Sequence, residues 1–278
     1  MSDSAKTSRA GRNLPAAIAV SLVLGGLVIG TLVFAPRGWV LMVAVAMAVA
    51  THEVVRRLRD GGYVIPLIPL IAGGQAMVWL TWPFGAAGAL GAFGATVLVC
   101  LTWRLFGEGL RSQPVNYLRD ASATVFLAAW IPLCGAFAAL LVYPPDGYAR
   151  VFALMLGVVF SDIGGYAAGV LFGKHRMVPA ISPKKSWEGL AGSLVCGTTA
   201  AVLAVAFLMD KPAWVGVPLG LMLVTTATLG DLVESQVKRD LGIKDMGTLL
   251  PGHGGLMDRI DGALPSAVAT WIVLSLLA

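Results

Sequence analysis

Residues 149–172 read ARVFALMLGVVFSDIGGYAAGVLF. A helix needs about 20 mostly apolar residues to cross a hydrocarbon core of about 30 Å. This run is long enough, and Asp162 is the one ionisable residue well inside it. Five comparable runs precede it, at Leu14–Phe34, Trp39–Thr51, Tyr63–Trp82, Phe84–Trp103 and Ala121–Val142. Three follow it, at Gly189–Met209, Trp214–Leu229 and Gly262–Ala278. The pattern predicts an all-α polytopic membrane protein with about nine transmembrane helices. The second, eighth and ninth runs are short, so they must extend into polar flanks or sit in thinned bilayer. Leu14–Phe34 exceeds the apolar core of a signal peptide and Pro36 follows Ala35, so it reads as an uncleaved anchor. Residues 1–13 are polar and read as a disordered cytoplasmic tail.

Composition agrees. Apolar residues are 57% of the 278 and charged residues 13%, with 34 glycines besides. Mean hydropathy is +0.81. A soluble domain is about 25% charged, so a soluble enzyme, a disordered chain and a disulfide-stapled secreted domain are excluded. Cys100, Cys134 and Cys196 lie in or beside apolar runs without metal-ligand spacing.

The formal charge is +5. With the N-terminus placed in the cytoplasm, 17 of the 20 Lys and Arg fall on cytoplasmic segments, and only Arg37, Arg150 and Lys211 lie outside. This bias predicts nine spans with the C-terminus outside. Most acidic residues fall on the same side, which topology alone does not require. A face rich in both signs reads as a working surface. Glycine rows at Gly26/Gly30, Gly85/Gly88/Gly91/Gly94 and Gly165/Gly169/Gly173 predict close helix packing within one chain or between two copies.

The chemistry concentrates after residue 143. A carboxylate inside a span, Asp162, is costly unless paired or wetted and is by default functional. Tyr166 shares its helix face. The following loop carries Lys174, Arg176, Lys184 and Lys185, and Ser182-Pro183 is expected to open a helix whose free amides favour an anion. Next, 230–240 reads GDLVESQVKRD. As a helical continuation of the eighth span it puts Asp231, Glu234, Ser235 and Lys238 on one face. Pro251-Gly252-His253-Gly254-Gly255 breaks any helix, and its glycines let amides approach a ligand. Asp258 and Asp261 follow three apart. Together with Asp231 they form an oxygen-only set beside many cations, which suits Mg²⁺ with substrate phosphates. His253 is a candidate acid or base, or a phosphate contact. The division is a five-span region over 14–142 and a four-span catalytic region over 143–278.

Ser235-Gln236-Val237-Lys238-Arg239, Ile243-Lys244-Asp245, Pro251 to Gly255 and Asp258-Arg259-Ile260-Asp261 together resemble the phosphatidate cytidylyltransferase family (CDP-diacylglycerol synthases). Ser182 to Gly189 and Asp162 to Gly173 are similar to it as well. Gly262 stands where many members carry Ser. The resemblance implies that CTP and phosphatidate give CDP-diacylglycerol and pyrophosphate at the cytoplasmic interface, with Mg²⁺. Asp231, Asp258 and Asp261 would hold the metal. Lys184, Lys185, Lys238, Arg239, Lys244 and Arg259 would contact phosphates, with amides from Gly252, Gly254 and Gly255. Asp162 would orient a basic group or a second cation, for which the family suggests K⁺. A homodimer in the bilayer is also implied, and nucleic acid is not an expected partner. The competing readings are another CTP-using lipid enzyme, such as a polyprenol kinase, and a transporter built around Asp162.

Overall fold

The computed structural model describes residues 25–34, 36–109, 111–249 and 254–277. The expected tail at 1–13 lies outside them. Nine helices run through the described residues. They are α1 (Gly25–Phe34), α2 (Pro36–Asp60), α3 (Leu67–Trp79), α4 (Thr81–Phe106), α5 (Tyr117–Leu140), α6 (Gly147–Phe172), α7 (Trp187–Leu208), α8 (Gly216–Asp240) and α9 (Met257–Leu277). Each predicted run meets one of them. Seven are long and apolar enough to cross a membrane, while α3 and the described part of α1 are shorter. The chain is therefore an all-α polytopic membrane protein. α2 and α8 continue well past the apolar runs, to Asp60 and Asp240, and carry the polar residues of those ends on helix.

One segment departs from the expectation. Ser182-Pro183 does not open a helix. Residues Ser182–Ser186 form a strand, β2, antiparallel to β1 (Arg176–Val178), with Arg176 opposite Ser186 and Val178 opposite Ser182. The Trp187 N–H is held by the His175 carbonyl at 3.0 Å, closing the hairpin. Only then does α7 begin. Ser186 is extended at φ −129°, and its hydroxyl caps the helix by accepting the Gly189 N–H at 3.1 Å.

The glycines of α6 and α7 bring these helices into backbone contact. A Cβ on Gly164 would stand 2.5 Å from the Gly192 carbonyl, and one on Gly165 would stand 2.4 Å from Ser193 Oγ. Ser193 Oγ donates to the Ser161 carbonyl at 2.7 Å across the same contact. By contrast, Gly91 and Gly94 on α4 face open space.

Hydrogen bonds gather four basic segments at one end of the bundle. Arg119 donates to the Gly62 carbonyl, Arg57 Nε to the Met246 carbonyl at 2.9 Å, and Arg239 Nε to the Ile181 carbonyl at 3.3 Å. There too, buried Arg104 pairs with fully buried Asp120 at 3.0 Å and with Glu108 at 2.9 Å. At the other end Asp146 meets Arg150 at 2.8 Å and Lys211 at 3.6 Å. Asp146, Arg150 and Lys211 thus lie at the end away from those four segments.

Candidate active site

The polar stripe of α8 is the spine of the site. Residues three and four apart on a helix share a face, so Asp231, Glu234, Ser235 and Lys238 form one column. Ser235 Oγ donates to Asp231 Oδ1 at 3.3 Å. Lys238 Nζ bonds the buried Glu234 carboxylate and also Asp258 Oδ1, the latter at 2.9 Å.

α9 meets this column at a break. Its first turn, Met257–Ile260, is separated from Ala263–Leu277 by a turn at Asp261-Gly262, and the Gly262 N–H donates to Asp261 Oδ1 at 2.8 Å. Gly230 lets α8 touch this break directly, since a Cβ there would stand 2.4 Å from the Asp261 carbonyl. One carboxylate oxygen from each of Asp231, Glu234 and Asp261 consequently lies within 4.8 Å of the others.

Asp258 has a different setting. It accepts the Met246 N–H at 2.9 Å and the Gly255 N–H at 2.8 Å on Oδ2, besides Lys238 on Oδ1. It thereby ties the loop before α9 to α8. Gly254 adopts φ +85°, which favours glycine, beside this carboxylate.

Lys185 of β2 places its ammonium 2.6 Å from Asp231 Oδ2 and 3.4 Å from the Thr228 carbonyl. The hairpin, α6, α7, α8 and α9 enclose a cavity of about 470 Å³. Ser182, Lys184, Lys185, Asp231, Asp258, Arg259 and Asp261 line it, and Asp162 and Tyr166 face it from α6. Asp162 lies within electrostatic reach of Asp231, Lys185 and Arg259.

Ser235, Lys238, Arg239, Lys244, Gly254 and Gly255 are not in the cavity wall. Ser235 and Lys238 bond carboxylates that belong to it, as Gly255 does through Asp258. Arg239 instead bonds the β1–β2 turn. Gly252 and His253 lie outside the described residues. Glu234 was not singled out from the sequence as a site residue, although its spacing from Asp231 was the available signal. Glu53 carries no sequence signal: it accepts the Met257 N–H at 3.0 Å from 204 residues away, and no local pattern announces that contact.

The donor set fits a hard divalent cation. Asp231, Glu234 and Asp261 offer oxygens alone, from two helices. The Asp231 side chain is 42% exposed, leaving room for water or a phosphate oxygen to complete a coordination sphere. Lys184, Lys185 and Arg259 line the same cavity, so cations able to pair with phosphates stand next to the carboxylates.

Fold and site together define a polytopic membrane protein whose carboxylates and cations gather in one cavity at one end of its helix bundle. More particularly, the chain belongs to the cytidylyltransferase family, whose model matches residues 15–277. It is 67% identical to the phosphatidate cytidylyltransferase of Mycobacterium leprae (strain TN), over 98% of this chain and 90% of that protein. It is 65% identical to the phosphatidate cytidylyltransferase of Mycobacterium tuberculosis (strain ATCC 25618 / H37Rv), over 98% of this chain and 85% of that one. A more distant relative of the same name from Brucella melitensis is 30% identical over 74% of this chain and 91% of its own length.

Proposed function

We propose that the chain transfers CMP from CTP to phosphatidate, giving CDP-diacylglycerol and pyrophosphate. Family membership and the names of its relatives carry the reaction. The observation that supports placing it in this cavity is the convergence of Asp231, Glu234 and Asp261 beside Lys185.

A phosphate oxygen of the lipid attacks the α-phosphorus of CTP, and the bond from that phosphorus to the bridging oxygen of the β-phosphate breaks. The nucleophile is already anionic near neutral pH, so no strong general base is required. The difficulty is bringing two polyanions together. Asp231, Glu234 and Asp261 would hold Mg²⁺, with Asp258 bracing the loop beside them. Bound there, the ion supplies charge neutralisation at the reacting phosphates. Lys184, Lys185 and Arg259 face the same space and serve to bind and orient phosphate groups. Lys244 is a further candidate for a CTP phosphate, and Asp162 for a second cation such as K⁺. The end carrying the basic segments is taken as cytoplasmic, where CTP is available, in a bacterial inner membrane. Nine spans, an outside C-terminus and a homodimer complete the reading.

Membranes containing the protein, incubated with phosphatidate and CTP, test it. Label from the α-phosphate should enter lipid. Transfer from the γ-phosphate alone would replace this reading with a lipid kinase. Solute uptake without nucleotide turnover would replace it with a transporter.

A further inference from the structure

We infer that Glu53 and Arg57, one turn apart on α2, are positioning residues for CMP transfer. Resting on the reading of the cavity above, this adds a helix from the N-terminal region to the working parts of the site. Glu53 Oε2 accepts the Met257 N–H at 3.0 Å, and Arg57 Nε donates to the Met246 carbonyl at 2.9 Å. These backbone points flank Asp258, whose carboxylate accepts the Met246 N–H at 2.9 Å. Met246 and Met257 are themselves almost completely buried. α2 therefore holds both chain segments that present Asp258 to Lys238.

The loop is shaped to accept this carboxylate. A Cβ on Gly247 would stand 2.4 Å from Glu53 Oε1, and one on Gly255 would stand 2.7 Å from Oε2. Glu53 is only 9% exposed, and its Oε1 has no hydrogen-bond partner among the described residues. Its placement against the loop that ends in Asp258, Arg259 and Asp261 points to orientation of those groups.

The test uses the purified full-length protein in lipid–detergent micelles, following α-phosphate label into lipid. Glu53→Ala should lower kcat at least about tenfold, the range seen when groups that orient site residues are removed. The KM for phosphatidate should stay near the wild-type value. Glu53→Gln keeps an acceptor for the Met257 N–H and should restore turnover to within about threefold. In a double-mutant cycle, the loss from Glu53→Ala should shrink in an Asp258→Asn background, because both act through one carboxylate. Melting temperatures of the variants, read in parallel, should not follow the order of their kcat values. Wild-type kcat in Glu53→Ala would overturn the inference. So would independent, multiplying losses in the cycle, or losses that track melting temperature. Full activity of Asp258→Asn would also overturn the inference, whereas full activity of both Asp231→Asn and Asp261→Asn would instead remove the reading of the cavity itself.

Discussion

The Lys185 ammonium stands 2.6 Å from Oδ2 of Asp231 and ties the β-hairpin to α8. Both side chains are partly exposed, at 23% and 42%, and such pairs contribute about 0–1 kcal/mol to stability. The contact matters more for where it puts charge. Its strand adds a cation to the carboxylate group that Lys238 already meets at Glu234 and Asp258.

Lys185→Gln should therefore leave the melting temperature nearly unchanged while reducing kcat/KM about tenfold or more, by analogy with other charge-orienting groups. Activity and thermal unfolding measured on the same preparation check this. A drop in stability matching the drop in activity would make Lys185 a scaffold residue.

Asp231→Asn, Glu234→Gln and Asp261→Asn should each lower turnover by about 10–100-fold and raise the Mg²⁺ concentration needed for half-maximal activity. Glu234→Gln is the discriminating variant, because its membership comes from geometry and not from the motif. An unaltered Mg²⁺ dependence in that variant would take Glu234 out of the donor set.

Gly230→Ala should destabilise the protein by about 1–3 kcal/mol, the ordinary cost of overpacking, and should reduce activity as well. Its Cβ would meet the Asp261 carbonyl at 2.4 Å and Pro265 Cγ at 2.8 Å, forcing the break in α9 away from α8. Gly91→Ala is the control, since nothing lies within 4 Å of the added atom. Equal effects at the two positions would mean that the α8–α9 contact is not critical.

At the opposite end, burial alone would push the Asp146 carboxyl up. The hydrogen bond from Arg150 and the charges of Arg150 and Lys211 outweigh it and hold the group below its ordinary value of 3.8. A lowered folded value means stability that is present above the unfolded value and lost as pH falls through the folded one. Unfolding followed from about pH 5 downward should show that loss in the wild type. Asp146→Asn should flatten the slope, and identical slopes would show that the cluster does not titrate on unfolding.

Hydropathy made the helices legible, because a span is a one-dimensional property of about 20 residues. The hairpin was less so. Ser182-Pro183 suits a helix start as well as an edge strand, and it takes the strand form by pairing with Arg176–Val178 across the hairpin. Within the site, Asp231, Asp258 and Asp261 stand out from an apolar background. Glu234 is set among the converging carboxylates by the contact of Gly230 with Asp261, and that contact has no local signature. Glu53 illustrates the limit, since it reads as one more charge in the basic end of an apolar run.

α8 is one continuous helix from Gly216 to Asp240, with Asp231 some nine residues before its end. At about 1.5 Å per residue, the column of carboxylates begins roughly 14 Å short of that tip. Asp231 stands two residues past Leu229, the end of the apolar run, so on the proposed reaction the column begins at headgroup level and the headgroup is not lifted out. Pulling a diacyl lipid free would cost about 0.8 kcal/mol per methylene, a few tens of kcal/mol in all. An enzyme arranged this way needs no lipid-extracting machinery, since the acyl chains of substrate and product can stay in one leaflet throughout.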